Sequence, residues 1–302
     1  MPAPLVSVLL TVYNRERCLA ESIESVLAQT FGDFELIVVD DHSSDGSVDI
    51  ARQYERLDRR IRVVTNDRNY GQFPNRNRAA SFATAPFLKF HDSDDVMYPH
   101  CLAVMLPPVR AESRAGFGLS GDRSWPGCAV PRLLTPRQAY QREFLGFGLF
   151  MYGPACALFR TEVFRQLGGF DDYGTPSDTI FWMRAAARHP VLLLPGDLFY
   201  YRVHPDQLLR APGAARAYAS VAGHAWRSLS APDCPLSENE RRMARRNLAG
   251  TTAKSIWNAV RSGDFGLAAA RIAGAGMSLG DWARYLRRPL RSSLAGLEPA
   301  VS

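Results

Sequence analysis

Four short apolar runs dominate the first third of the chain, at Val6–Val12, Phe34–Val39, Ile61–Thr65 and Pro86–Phe90, each bounded by polar turn residues. Runs of five to seven residues rich in Val, Ile, Leu and Phe suit strands buried on both faces. Between the first two, Leu19, Ile23, Val26 and Leu27 recur at helical spacing, with Asn14 placed to cap that helix. Further helices are predicted over Ser47–Leu57, after the Ser43-Ser44-Asp45-Gly46 turn, and over about Phe73–Ala83. Strands alternating with helices through short connections leave few solutions. The expected fold is α/β, a doubly wound and mostly parallel sheet whose ligands bind outside the carboxyl ends of its strands.

Three polar clusters fall at such ends. Thr11-Val12-Tyr13-Asn14-Arg15 closes the first run, Asp40-Asp41 the second, and His91-Asp92-Ser93-Asp94-Asp95 the fourth. A hydroxyl, an aromatic face and a carboxylate suit a nucleoside, whose ring can stack on Tyr13 and whose ring N–H a carboxylate can accept. Taken singly, the first two clusters read equally well as helix caps and loop residues. Three closely spaced carboxylates repel one another unless a cation neutralises them, and carboxylate oxygens suit hard ions such as Mg²⁺ or Mn²⁺. Such an ion can bridge diphosphate oxygens and stabilise a nucleotide leaving group. An isolated Asp-x-Asp is usually a solvated turn, and position at a third strand end is what singles this one out.

Other classes are excluded on specific grounds. The first strand–helix turn carries no glycine, so it lacks the GxGxxG fingerprint of a dinucleotide-binding dehydrogenase. The formal net charge of +6 favours anionic partners in general, but no nucleic-acid recognition motif accompanies it. Five scattered cysteines, Cys18, Cys101, Cys128, Cys156 and Cys234, form no CxxC pair and read as reduced thiols. Met1-Pro2-Ala3-Pro4 leads into the first strand without a basic start or an apolar stretch, so a cytoplasmic protein is expected. The nearly uncharged segment Phe144–Phe159 is interrupted by Gly146, Gly148, Gly153 and Pro154, and reads as a buried strand-loop-strand.

The motifs Val6-Ser-Val-Leu-Leu-Thr-Val-Tyr-Asn-Arg15, Val38-Val-Asp-Asp-His-Ser-Ser-Asp-Gly-Ser47, Asn69-Tyr-Gly71, Arg76-Asn77 and His91-Asp-Ser-Asp-Asp95 together resemble family 2 glycosyltransferases of the GT-A fold. The resemblance continues through Ala157–Arg160, Gly168-Gly-Phe-Asp171, Asp178, Phe181–Arg184 and Tyr200-Tyr-Arg-Val-His-Pro205, covering roughly residues 5 to 207. It implies an inverting transfer from a nucleoside diphosphate sugar, with UDP the expected nucleotide, to a hydroxyl of a glycan or lipid-linked glycan. By position it implies Thr11, Tyr13, Asn14 and Asp41 on the nucleoside, and Arg76 near the diphosphate. Asp92 and Ser93 fall at the ribose, Asp94 and Asp95 at a Mn²⁺ or Mg²⁺ ion, with His204 a further metal or phosphate ligand. Asp178 falls at the general base, the alternative being a first-turn carboxylate that only complements its helix dipole. The family's Glu-Asp pair is here Ser177-Asp178, which leaves open a second class of function, a catalytically weak sugar-nucleotide-binding scaffold subunit.

The expected organisation is a nucleotide-sugar half over residues 1–108, an acceptor-side half over 109–210, and a C-terminal helical region over 211–302. In the last region Ser237 and Glu240 form a capping box, and Phe265, Ala269 and Ile272 recur at helical spacing. Arg241, Arg242, Arg245 and Arg246, and then Arg284, Arg287, Arg288 and Arg291 around Trp282, Tyr285 and Leu286, read either as solvated helix faces or as a peripheral contact with an anionic membrane.

Overall fold

The structure is a computed structural model and describes residues 3–121, 129–204, 207 and 213–286. The chain begins β1 (Val6–Val12), α1 (Leu19–Leu27), β2 (Phe34–Asp40), α2 (Ser47–Leu57), β3 (Ile61–Thr65), α3 (Gln72–Ser81), β4 (Phe87–Asp92), as the alternating pattern predicts. It continues β5 (Val96–Met97), α4 (Cys101–Ala111), β6 (Phe117–Ser120), β7 (Arg132–Leu134), α5 (Pro136–Leu145), β8 (Ala157–Arg160), α6 (Thr161–Gln166), α7 (Ser177–Arg188), β9 (Val191–Leu194) and β10 (Phe199–Tyr200). Helices α8 (Ala214–Ala217), α9 (Val221–Ser230), α10 (Glu238–Arg261), α11 (Phe265–Gly274) and α12 (Leu279–Leu286) complete it.

One eight-stranded sheet, in the order β3-β2-β1-β4-β8-β6-β9-β7, runs through the middle. Its first four strands are parallel, with Thr11 opposite both Val39 and Asp92, and Val12 opposite Asp40. This register brings the polar ends of β1, β2 and β4 to one edge of the sheet. Beyond β4 the sheet is mixed, since β8 lies antiparallel to both β4 and β6 while β9 is parallel to β6. Residue 108 falls inside α4, and the sheet is continuous across it.

Alternation along the strands fills both faces. Leu9, Ile37, Val39, Leu88 and Phe90 face one apolar layer, and Val8, Leu10, Leu36, Val38 and Phe87 the other. Each such side chain contributes roughly 1.5–3 kcal/mol on burial. In the first layer the rings of Phe159 and Trp182 stack with centroids 5.4 Å apart, and Phe181 lies 4.7 Å from Phe170. These contacts fix α7 against the sheet, and with it the residue in its first turn, Asp178.

The segment Phe144–Phe159 is not a strand-loop-strand. Thr135 and Gln138 form a reciprocal capping box with Pro136 at the first helical position, so α5 runs to Leu145 and only Ala157–Arg160 is strand. The helical C-terminal region is present, with α10 packed on α5, α9, α11 and α12. Its capping box at Ser237 and Glu240 forms, and Glu240 also binds Arg137 of α5 at 2.9 Å. Cys18, Cys101 and Cys234 are free thiols, and Cys128 lies outside the described residues, as do Arg287, Arg288 and Arg291. Among the described residues no helix is long and apolar enough to cross a membrane.

Candidate functional site

The loops after β1 and β2 are tied to each other. Asn14, expected to cap α1, instead takes a left-handed conformation (φ 51°) and its side-chain oxygen accepts from the Ser44 amide at 2.9 Å, while its own amide donates to Ser43 Oγ. Helix α1 starts only at Leu19, four residues too late for Asn14 to reach it. Tyr13, 47% exposed, is thereby presented at the open rim.

Asp41 is buried, and both its oxygens are occupied. Oδ1 accepts from Asn66 Nδ2 (2.8 Å) and the Tyr70 amide (2.9 Å), and Oδ2 accepts from the Gly71 amide (2.9 Å). Gly71 has φ 90°, a conformation that a side chain disfavours. Asp41 therefore anchors the 66–71 loop beside the rim whatever else it meets there. Asp41→Ala leaves three donors without this acceptor and is expected to lower stability by about 1–3 kcal/mol in urea denaturation. A loss below about 0.5 kcal/mol would show the loop to be held by other means.

At the end of β4 the four acidic-run side chains divide. Arg76, itself buried on α3, forms an ion pair with Asp92. Burial opposes ionisation of Asp92, but this guanidinium overrides it and holds the carboxyl below its usual range. Ser93 is buried. Asp94 Oδ2 lies 2.9 Å from His204 Nε2 and 3.4 Å from Arg15 Nε. Asp95 is buried, accepts from the Arg202 amide at 3.0 Å through Oδ1, and has no hydrogen-bond partner at Oδ2 among the described residues. Burial, and next the charge of Asp92, push its carboxyl up to about 8. Beneath them, burial and then Lys89 hold His91 down to about 3, so it stays neutral.

The two-stranded ribbon explains how residues 200 to 204 reach this cluster. β10 pairs antiparallel with β5, Phe199 opposite Met97 and Tyr200 opposite Val96, so the chain after β10 runs back past Asp95 and Asp94. Arg202 Nε donates to the Asp94 carbonyl at 2.8 Å, and its guanidinium also pairs with Glu21 of α1. Gln207 accepts from the His204 amide at 3.3 Å and donates to the Arg202 carbonyl at 2.5 Å. Among the described residues no three His, Cys, Asp or Glu side chains converge as a ready-made cation site. What exists is the Asp94–His204 pair and the unpartnered oxygen of Asp95. These donors fit a hard ion that takes one or two carboxylates from protein and its remaining ligands from phosphate oxygens and water.

Facing the cluster is the start of α7. Asp178 accepts from the Thr179 amide at 2.6 Å and is partly buried. Burial is the largest influence on it and raises its carboxyl to about 6; the Thr179 amide and then Arg76 pull the other way, and Asp92 adds to the rise. Asp178 thus lies within the field of both members of the Arg76–Asp92 pair. Ser177, where the family carries Glu, is buried and closes the preceding turn, donating to the Gly174 carbonyl (2.7 Å) and accepting from the Tyr173 amide (2.8 Å). Arg15 and Arg202 carry no role in the sequence reading, although both stand inside motifs quoted there. Arg15 had the signal of an arginine at the end of the first strand, whereas Arg202 follows β10; their targets, Asp94 and Glu21, lie 79 and 181 residues away in the chain.

The sequence profile described as glycosyl transferase family 2 matches residues 7–168, more than half of the chain. EpsE of Bacillus subtilis, whose name carries the glycosyltransferase description, is 42% identical over 144 residues, which cover 44% of this chain and 52% of EpsE. The chain thus spans about half the length of that relative. Among solved structures, S. aureus TarS 1-349 in complex with UDP-GlcNAc shares the fold, with TM-score 0.61 and 22% identity over 82% of this chain and 71% of that one. The mannosyltransferase PcManGT of Pyrobaculum calidifontis, in complex with GDP-Man and Mn²⁺, shares it with TM-score 0.57 and 18% identity over 94% of this chain and 83% of that one. With the strand-end clusters aligned on one edge of a GT-A-type sheet and the family profile matched across them, the chain belongs to glycosyl transferase family 2.

Proposed function

We propose that the protein is an inverting glycosyltransferase that moves a sugar from a nucleoside diphosphate sugar, UDP-linked, to a hydroxyl of a glycan or lipid-linked glycan. The observation that carries this reading is Asp178 standing within the field of the Arg76–Asp92 pair, with the rest of the acidic run on the same strand end. A base and a diphosphate-binding cation close together are what in-line displacement at an anomeric carbon needs. Support for UDP comes from the UDP-GlcNAc complex of TarS, which has the same fold.

In this reading Tyr13 stacks on the nucleoside at the rim, and Thr11 and the Asp41-anchored loop border it. Asp92 and Ser93 lie at the ribose, and Arg76 meets the diphosphate. The acceptor oxygen gives its proton to Asp178 as it bonds to the anomeric carbon, and the bond from that carbon to the diphosphate oxygen breaks with inversion. Arg76 and Arg15 balance the negative charge left on the diphosphate. Mn²⁺ or Mg²⁺, held by Asp94, Asp95 and His204, would supply further charge neutralisation at that leaving group. PcManGT, which has the same fold, is in complex with both GDP-Man and Mn²⁺. At the C-terminal end, exposed Trp257, Phe265, Ile272 and Leu279 support a peripheral contact with a membrane that holds the acceptor.

The base must be ionised to take a proton, and its pKa is raised to about 6. Turnover is therefore expected to rise about tenfold per pH unit below pH 6 and to level off above about pH 7. An unperturbed carboxylate would put the inflection near 4. A profile of kcat with saturating donor that stays flat from pH 5 to 8 would remove Asp178 from this role. Purified protein that binds UDP but neither hydrolyses nor transfers from any UDP-sugar would favour the scaffold alternative.

A further inference from the structure

A groove of about 290 Å³ lies between α7 and α9, outside the cluster described above. Ile180, Arg184 and Arg188 form its α7 wall, and His224, Arg227 and Ser228 its α9 wall. These positions recur every three to four residues, one face of each helix. Asp178, two residues before Ile180, sits about 200° round the helix and so faces away from the groove.

The lining is cationic. Three arginines face two carboxylates, Asp171 and Asp233. Arg184 is committed to Asp171 at 2.7 Å and to the Gly169 carbonyl, yet among the described residues its Nε is buried without an acceptor. Arg188 is 3.7 Å from Asp233 with both side chains more than half exposed, a pairing of little strength. Arg227 forms no ion pair among the described residues. His224 adds no charge, since burial and then Arg227 hold it below its usual range. Tyr173, nearly half exposed, lines the groove and makes a T-shaped contact with His224, centroids 4.4 Å apart. The Tyr173 amide is held by Ser177 Oγ, and Ser177 directly precedes Asp178. The groove and the base are thus joined by one short turn.

We propose that this groove holds an oxyanion-bearing sugar unit of the acceptor, a uronate or a phosphorylated sugar, beyond the unit that reacts. The volume lies just under the usual range of ligand pockets, roughly 300–1,000 Å³, and suits one monosaccharide. A guanidinium fork matches a carboxylate or a phosphate in two-point fashion, and an aromatic face takes the apolar side of the ring. The proposal rests on the reading of the protein as a transferase with a glycan acceptor.

The test titrates glucuronate, glucose 6-phosphate and glucose into the full chain saturated with UDP and Mn²⁺, so that the donor site is filled, and follows binding by NMR. At least one charged sugar should bind about tenfold or more tightly than glucose, the carboxylate arm pointing to uronate and the phosphate arm to a phosphorylated unit. Arg227→Glu, at an exposed position, should lose that binding about tenfold or more while UDP affinity stays unchanged, which also reports an intact fold. Equal binding of charged and neutral sugars, no binding of either, or unchanged affinity in Arg227→Glu overturns the proposal and leaves the donor reading intact. Failure of the unaltered protein to bind UDP overturns the donor reading instead, and the acceptor role of the groove with it.

Discussion

Asp178→Asn is expected to lower turnover by roughly 10²–10⁴-fold, the range a positioned general base supplies, while leaving donor affinity near that of the unaltered protein. The replacement keeps shape and keeps an oxygen to accept from the Thr179 amide. It removes only the capacity to hold the acceptor's proton. Steady-state transfer and UDP titration on one preparation separate the two effects. If Asp178 served only to complement the positive end of α7, Asn at that position would cost a few tenths of a kcal/mol of stability and leave turnover intact. Undiminished turnover would end its assignment as base.

Asp94→Ala should act on the opposite half of the reaction. Its carboxylate is the one shared by His204 and Arg15, and a hard cation finds no substitute for it among neutral side chains. The Mn²⁺-dependent part of UDP binding is expected to fall by more than the 10–100-fold that even changes behind a metal ligand bring. Calorimetric titration of UDP into the variant, with Mn²⁺ and with a chelator, reads this directly. Equal enhancement by Mn²⁺ in variant and unaltered protein would move the ion away from Asp94. The loop at residues 200–204 keeps its Arg202 contacts to Asp95 and Glu21 in this variant, so a loss of binding would not require collapse of that loop.

What the sequence discloses is set by range. The four parallel strands and three helices of the first third follow from local apolar runs, and the aligned polar ends follow from parallel register alone. Asp178 and Arg76 became legible only through resemblance, since nothing local distinguishes Asp178 from other acids in a first helical turn. The contacts that complete the cluster were hidden because they depend on the β5–β10 ribbon, two residues on each side, too short to announce itself. Asn14 misled because a cap residue and a left-handed loop residue have the same chemistry, and only the late start of α1 decides between them. Asp41, which the sequence offers as a nucleoside contact, is seen to be an anchor once Asn66, Tyr70 and Gly71 return to it. Arg184 stands inside the Phe181–Arg184 motif but has no role assigned to it there, and Arg227 stands in none, for α7 and α9 meet only in three dimensions.

The most direct test of the central claim, that the acidic run after β4 is a cation-assisted donor site, is calorimetric titration of UDP into the unaltered protein with Mn²⁺ present and then removed. UDP should bind in both states, at least about tenfold more tightly with Mn²⁺, a difference of about 1.4 kcal/mol. UDP that binds equally with and without the ion, or that does not bind, would contradict the account.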